Sequence, residues 1–153
     1  MSLTKYITII FMLLFVSNCS TPDDTKKKVK IIPDKITMLY VTQPECPSCK
    51  ELEKVMDLPE PKKLIANYFQ IKKVFLGQPI PDNLIPPNGT PTVYFLGSDD
   101  EVLVEPIVGE KNEVELMEFL NDSLYEFKVT YGVDIRELKK SENNETNLSE
   151  TTL

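Results

Sequence analysis

Histidine is absent from the 153 residues. No Ser-His or Cys-His catalytic pair can therefore form within the chain, and any zinc, copper or haem site would need other ligands. Basic residues are also few: 17 Lys and Arg stand against 24 Asp and Glu, a formal net charge of −7. A nucleic-acid binder would carry a basic patch or stripe, so no nucleic-acid partner is expected. Long apolar runs are missing too. The N-terminal run covers residues 6–16, about 16 Å of helix against a hydrocarbon core of about 30 Å. No internal repeat is visible, and cysteine is reduced to Cys19, Cys46 and Cys49. What is present is ordinary globular material, 41% apolar and 27% charged. That suffices for one core and one domain, and a monomer is expected.

Residues 6–16 are apolar apart from Thr8, and Lys5 is the positive charge ahead of them. This is the layout of a signal-peptide core. Behind it, Val16-Ser17-Asn18-Cys19-Ser20 resembles the lipobox of bacterial lipoproteins, whose cysteine becomes the lipidated first residue of the mature chain. Asn18 stands where that family usually carries Gly or Ala. The resemblance implies a signal peptide over 1–18, lipidation at Cys19 and a place in the bacterial cell envelope, facing the periplasm or extracytoplasmic space. Ser20 to Lys30 is polar, with Lys clustered over 26–30, and residues 19–33 read as a flexible tether between lipid anchor and domain. At the far end, 141–153 has almost no apolar content and is expected to be disordered, within a C-terminal extension over 129–153. The folded domain is then 34–128.

Within that body, Ile36 to Thr42 is β-branched and aromatic with no polar break beyond Thr, and reads as a buried central strand. Pro44 stops it. Helical composition follows from Pro47 to Met56, with Pro47 suited to a first turn, where its missing N–H costs nothing. Pro59 and Pro61 read as an interruption, after which Lys62–Phe69 resumes the helix. Ile71–Leu76 is a second strand, and 77–91 a loop with five prolines. Thr92–Leu96 and Glu101–Val108 make a hairpin around the turn at 97–100, and an amphipathic helix over 113–127 closes the body. A crossover helix makes the first strand pair parallel, and the hairpin is antiparallel. The result is an α/β fold with a mixed sheet flanked by helices.

Thr42-Gln-Pro-Glu-Cys46-Pro-Ser-Cys49-Lys50 leaves the central strand, and Asn88-Gly-Thr90-Pro91-Thr92 enters a later one. Together they resemble the thioredoxin-like superfamily. The resemblance covers about residues 34–127. It implies a Cys46–Cys49 disulfide at a helix start, opposite a cis-proline at Pro91. Thr90 and Pro91 would be substrate-binding positions, and Gly109 would lie ahead of the last helix. The sequence departs from cytosolic thioredoxins in three ways. Tyr40 replaces the buried acid beneath the pair, Glu45 replaces the aromatic before the first cysteine, and Pro-Ser replaces Gly-Pro between the cysteines. The segment from Leu76 to Pro91 also lacks the helix that full thioredoxins insert. The implied fold is a thioredoxin-like one with a minimal, glutaredoxin-sized core and a mixed four-stranded sheet.

A cysteine at a helix N-terminus lies near unsatisfied N–H groups and the positive end of the macrodipole, both of which favour thiolate. Cys46 is thus the expected nucleophile, and Cys49, one turn deeper, the resolving thiol. Glu45, Glu51 and Glu53 oppose the thiolate, while Lys50 and Lys54 favour it. The expected function is a membrane-tethered thiol–disulfide oxidoreductase outside the cytoplasm, exchanging disulfides with exported proteins and with a redox partner protein. No cofactor and no metal are implied. Two alternatives stay open: a noncatalytic thioredoxin-fold binding module with a structural disulfide, and a thiol metallochaperone for Cu(I).

Overall fold

A computed structural model describes residues 31–140. The expected signal peptide, Cys19 and the segment after 140 lie outside the described residues, as does most of the tether.

Strand β1 (Ile36–Thr42) is the centre of the sheet. It pairs in parallel with β2 (Phe69–Phe75) and antiparallel with β3 (Thr92–Leu96), which pairs antiparallel with β4 (Val102–Val108). The order is β2-β1-β3-β4. Both faces of β1 and β3 are covered, which is why their sequences run apolar without a polar alternation. This is the mixed four-stranded sheet flanked by helices that the sequence implies.

The two sheet faces are covered differently. Ile36, Met38 and Tyr40 from β1, with Val93, Phe95 and Ile107, face a layer built from Leu52, Ile65, Leu116, Leu120 and Phe127. That layer belongs to helices α1 (Pro47–Met56), α2 (Pro59–Tyr68) and α3 (Glu113–Tyr131). On the opposite face, Leu39, Val41, Tyr94 and Leu96 pack with Leu84 and Ile80 of the Pro-rich loop. Among the described residues no helix covers that side; the loop does. It is fixed there by Tyr94, whose hydroxyl donates to the Ile85 carbonyl at 2.6 Å, and by Asn83 Nδ2, which donates to the Asp100 carbonyl at 2.8 Å.

Several sequence boundaries move. Pro59 and Pro61 do not interrupt a helix but begin one: α2 starts at Pro59. Proline lacks only an N–H that the first turn leaves unused. The expected helix over Lys62–Phe69 accordingly starts three residues earlier and ends at Tyr68. Phe69, buried, opens β2, which ends at Phe75 rather than Leu76. Val114, placed on the apolar face of the last helix by its sequence, is 69% exposed.

The final helix also runs past 127, to Tyr131. Asn112 and Glu115 form a reciprocal capping box at its start, and Gly132, at φ 70°, caps its end in the left-handed conformation. The Tyr131 ring packs tilted against Phe127 with centroids 4.5 Å apart, and its hydroxyl accepts the Ser98 N–H at 2.6 Å. The Gly132 turn then sends the chain back, and Ile135 is fully buried in the helical core. The packed body therefore extends beyond residue 128, into what the sequence suggests is an extension. Among the described residues no helix is long and apolar enough to cross a membrane.

Candidate redox site

The site begins where β1 ends. Glu45 adopts φ 54°, a left-handed conformation uncommon for a residue with a side chain. It reverses the chain so that Cys46, extended at φ −81° and ψ 108°, becomes the N-cap of α1. The cap acceptor is sulfur: Cys46 Sγ accepts the Cys49 N–H at 3.1 Å. Cys46 and Cys49 are joined as a disulfide with Cα atoms 5.2 Å apart. Both residues are buried, at 4% and 3% exposure.

Across from the pair lies the end of the Pro-rich loop. Thr90 Oγ1 is 3.5 Å from Cys46 Sγ, and the Thr90–Pro91 peptide bond is cis. Two hydrogen bonds hold this corner. Thr92 Oγ1 donates to the Gly89 carbonyl and the Gly109 N–H to the Pro91 carbonyl, both at 2.9 Å. The Cys46–Cys49 pair and the Thr90–Pro91 corner, more than forty positions apart in sequence, thus meet in one place. Cys19 lies outside the described residues.

A second group beneath the helix was not assembled from the sequence. The Tyr40 hydroxyl donates to the Cys49 carbonyl at 3.2 Å. Burial, reinforced by the Glu53 carboxylate and partly offset by a hydrogen bond with the Thr42 side chain, pushes the Tyr40 phenol up to about 12. Glu53 Oε1 is 2.8 Å from Lys73 Nζ, which lies 5.5 Å from the centroid of the Tyr40 ring. The replacement of an acid by Tyr40 is visible in sequence. Its neighbour Lys73 follows only from the register that sets Tyr40 opposite Lys73 across β1 and β2. Of the other charges expected near the pair, Lys54 and Glu51 are engaged with each other at 2.7 Å, with both side chains more than half exposed, an arrangement contributing little energy.

Chemically, the arrangement suits thiolate–disulfide exchange. A sulfur at a helix start, facing backbone N–H groups and a hydroxyl, is stabilised as an anion. The second sulfur sits one turn on, against the core. Among the described residues no group of three or more His, Cys, Asp and Glu could hold a metal ion.

The sheet order, the disulfide opening α1 and the Thr90–Pro91 corner opposite it define a thioredoxin-like fold. No protein-family model and no curated protein matches the chain. Solved structures are similar to it. A thioredoxin from Thermus thermophilus is 22% identical with a TM-score of 0.45, covering 57% of this chain and 72% of that one. The periplasmic thioredoxin SoxS from Paracoccus pantotrophus is 17% identical with a TM-score of 0.46, covering 60% and 98%. A disulphide isomerase from Xylella fastidiosa is 23% identical with a TM-score of 0.36, covering 63% and 79%.

Proposed function

We propose that the protein is a thiol–disulfide oxidoreductase, tethered to a membrane through lipid on Cys19 and acting outside the cytoplasm on exported proteins. The observation that carries this reading is the placement of Cys46: N-cap of α1, disulfide-bonded to Cys49, and 3.5 Å from the Thr90 hydroxyl. Cys46 is the nucleophile, Cys49 resolves the mixed disulfide, and Thr90 and Pro91 line the approach to the pair. The apolar run ending at Cys19 and the polar residues behind it support the anchor and its tether. A redox partner protein renews the pair after each exchange.

The test is to express the Cys49→Ala protein in cells and identify what remains disulfide-linked to Cys46. Exported proteins are expected in that trap, in the membrane fraction, and Cys19→Ala should move the complexes to the soluble fraction. An empty trap would overturn the exchange reading, and complexes that ignore Cys19→Ala would overturn the anchor.

One observation favours a second reading. Burial of both cysteines to below 5% exposure suits a structural bridge in a noncatalytic binding module. A reduction potential below about −300 mV would select that reading, and a higher one the exchange function.

A further inference from the structure

We infer that the cavity under the Pro-rich loop receives a large apolar side chain from the polypeptide whose cysteine reacts at Cys46. The substrate class is then an extended cysteine-containing segment with an apolar residue two positions from that cysteine. This rests on the exchange function proposed above and gives it a client preference.

The cavity holds about 540 Å³ and is walled by Leu76, Ile80, Pro81, Leu84, Pro86 and Pro87. That volume is in the range of small-ligand sites, about 300–1,000 Å³, and admits an aromatic side chain. Its wall joins the redox site at two points. The Leu76 N–H donates to the Thr42 carbonyl at 2.8 Å, four residues before Cys46. At the other end the wall reaches Asn88, two residues before Thr90. Two residues of extended chain span about 7 Å. In an extended client, side chains two apart point to the same face at about the same spacing. The Asn88 end of the wall thus lies within that reach of Thr90, whose hydroxyl is 3.5 Å from Cys46 Sγ, and a client that runs from Thr90 toward Asn88 brings the second neighbour of its cysteine to the cavity's edge.

The cavity is preformed. Leu84 is buried and its N–H donates to the Pro81 carbonyl at 3.1 Å, while Tyr94 and Asn83 hold the loop from below. Prolines add apolar wall without an N–H to satisfy. Of its walls Leu76 is 41% exposed, and Phe75 and Ile85, each adjacent in sequence to a wall residue, are 53% and 75% exposed. Contiguous exposed apolar surface marks interaction sites. Asp82 is the charged residue in the lining, so an acidic client side chain meets like charge. The cavity beside α1, by contrast, is walled by Glu51, Lys54, Glu110 and Lys111, charges of both signs that favour neither kind of client.

The exchange balances without a further reagent in a single turnover. The Cys46 thiolate attacks the client sulfur, and the group leaving that sulfur takes the electron pair of the broken S–S bond. The Cys49 thiolate then attacks Cys46 and closes the protein disulfide, releasing the client as a thiolate. The pair gives up two electrons and the client disulfide receives them.

The test uses the pre-reduced protein and single-cysteine peptides carried as thionitrobenzoate mixed disulfides. The peptides differ only at the positions two residues either side of cysteine, which are Phe, Ser or Asp. The methyl–thionitrobenzoate disulfide, too small to reach the cavity, reports the sulfur chemistry alone. The Phe peptide is expected to react about tenfold faster than the Ser peptide, as burial of an aromatic ring allows, and the Asp peptide slowest. Leu76→Ser, at an exposed position, should reduce the Phe peptide toward the Ser rate and leave the small reagent unchanged. Equal Phe and Ser rates in the unsubstituted protein, with the small reagent reacting normally, would overturn the cavity assignment whatever the variant does. A small reagent that reacts no faster with the protein than with its Cys46→Ser variant would overturn the exchange function itself.

Discussion

Tyr40 offers a titration that can be worked from the structure. Its ordinary value is 10.0, and in the folded protein burial first, then the Glu53 carboxylate, push it up to about 12. Below 10 the phenol keeps its proton in both folded and unfolded chains, and ionisation has no effect on stability. Above 10 the unfolded chain releases the proton while the folded chain holds it, so the folded state binds more protons and stability falls as pH rises. The loss accumulates up to about 12. At about 1.4 kcal/mol per unit the whole shift would amount to roughly 2–3 kcal/mol, the upper bound of the loss once solvent screening is allowed for.

Tyr40→Phe removes this dependence. At neutral pH it has a different effect, since it deletes the hydrogen bond to the Cys49 carbonyl and lowers stability by about 1 kcal/mol. Burial also raises Tyr94, which adds a loss of the same sign to both proteins. The quantity to measure is therefore the difference between them. Urea unfolding of the oxidised protein, followed by circular dichroism from neutral pH through the window, gives that difference. It should favour the native protein at neutral pH and reverse toward the variant at the alkaline end. Parallel loss of stability in the two proteins, or a tyrosinate absorbance showing Tyr40 ionised near 10, would refute the reasoning.

Two further outcomes are expected. Thr90→Val keeps the shape of the side chain but removes the hydroxyl 3.5 Å from Cys46 Sγ. A hydrogen bond to an ionised acceptor is worth about 1.5 kcal/mol or more, roughly tenfold in the thiol–thiolate equilibrium, so at a pH where the thiol predominates iodoacetamide should alkylate reduced Cys46 about tenfold more slowly in the variant, and an unchanged rate would remove Thr90 from the site. Ile135→Ala, at a fully buried position, is expected to lower unfolding free energy by about 2–4 kcal/mol; a loss under about 0.5 kcal/mol would show that the packed body stops before Gly132.

Parts of the molecule announce themselves and parts do not, for physical reasons. β1 and β3 are buried on both faces, so their β-branched and aromatic runs are unbroken and legible. β2 is an edge strand whose middle residues are exposed, and Phe69 satisfies a helix end and a strand start equally well; its boundary follows from pairing with Ile36. Pro59 and Pro61 mislead because proline breaks a helix everywhere except its first turn. Ile135 is a lone apolar residue between Asp134 and Arg136, without periodicity to mark it, and only the turn at Gly132 carries it inward. At the site, the Cys46–Cys49 spacing and the residues around Pro91 are local signals that survive in sequence. The grouping of Tyr40, Glu53 and Lys73 draws one residue from each of three elements, and exists only once register and helix packing are set.

The sulfur that caps α1 has one more consequence. Most helices are capped by an oxygen whose charge never changes, whereas here the acceptor of the Cys49 N–H is Cys46 Sγ. As a disulfide it is a neutral, weak acceptor backed by a covalent strap. As a thiolate it is an anion, and hydrogen bonds to ionised acceptors are roughly twice as strong. The first turn of α1 is thus held by a covalent bond in one state and by charge in the other. Because the coupling is reciprocal, anything that orders that turn favours the thiolate, and anything that frays it releases the advantage. Under the proposed exchange function, two electrons added to the pair change what holds the first turn of α1, from an S–S bond to a charge on its cap.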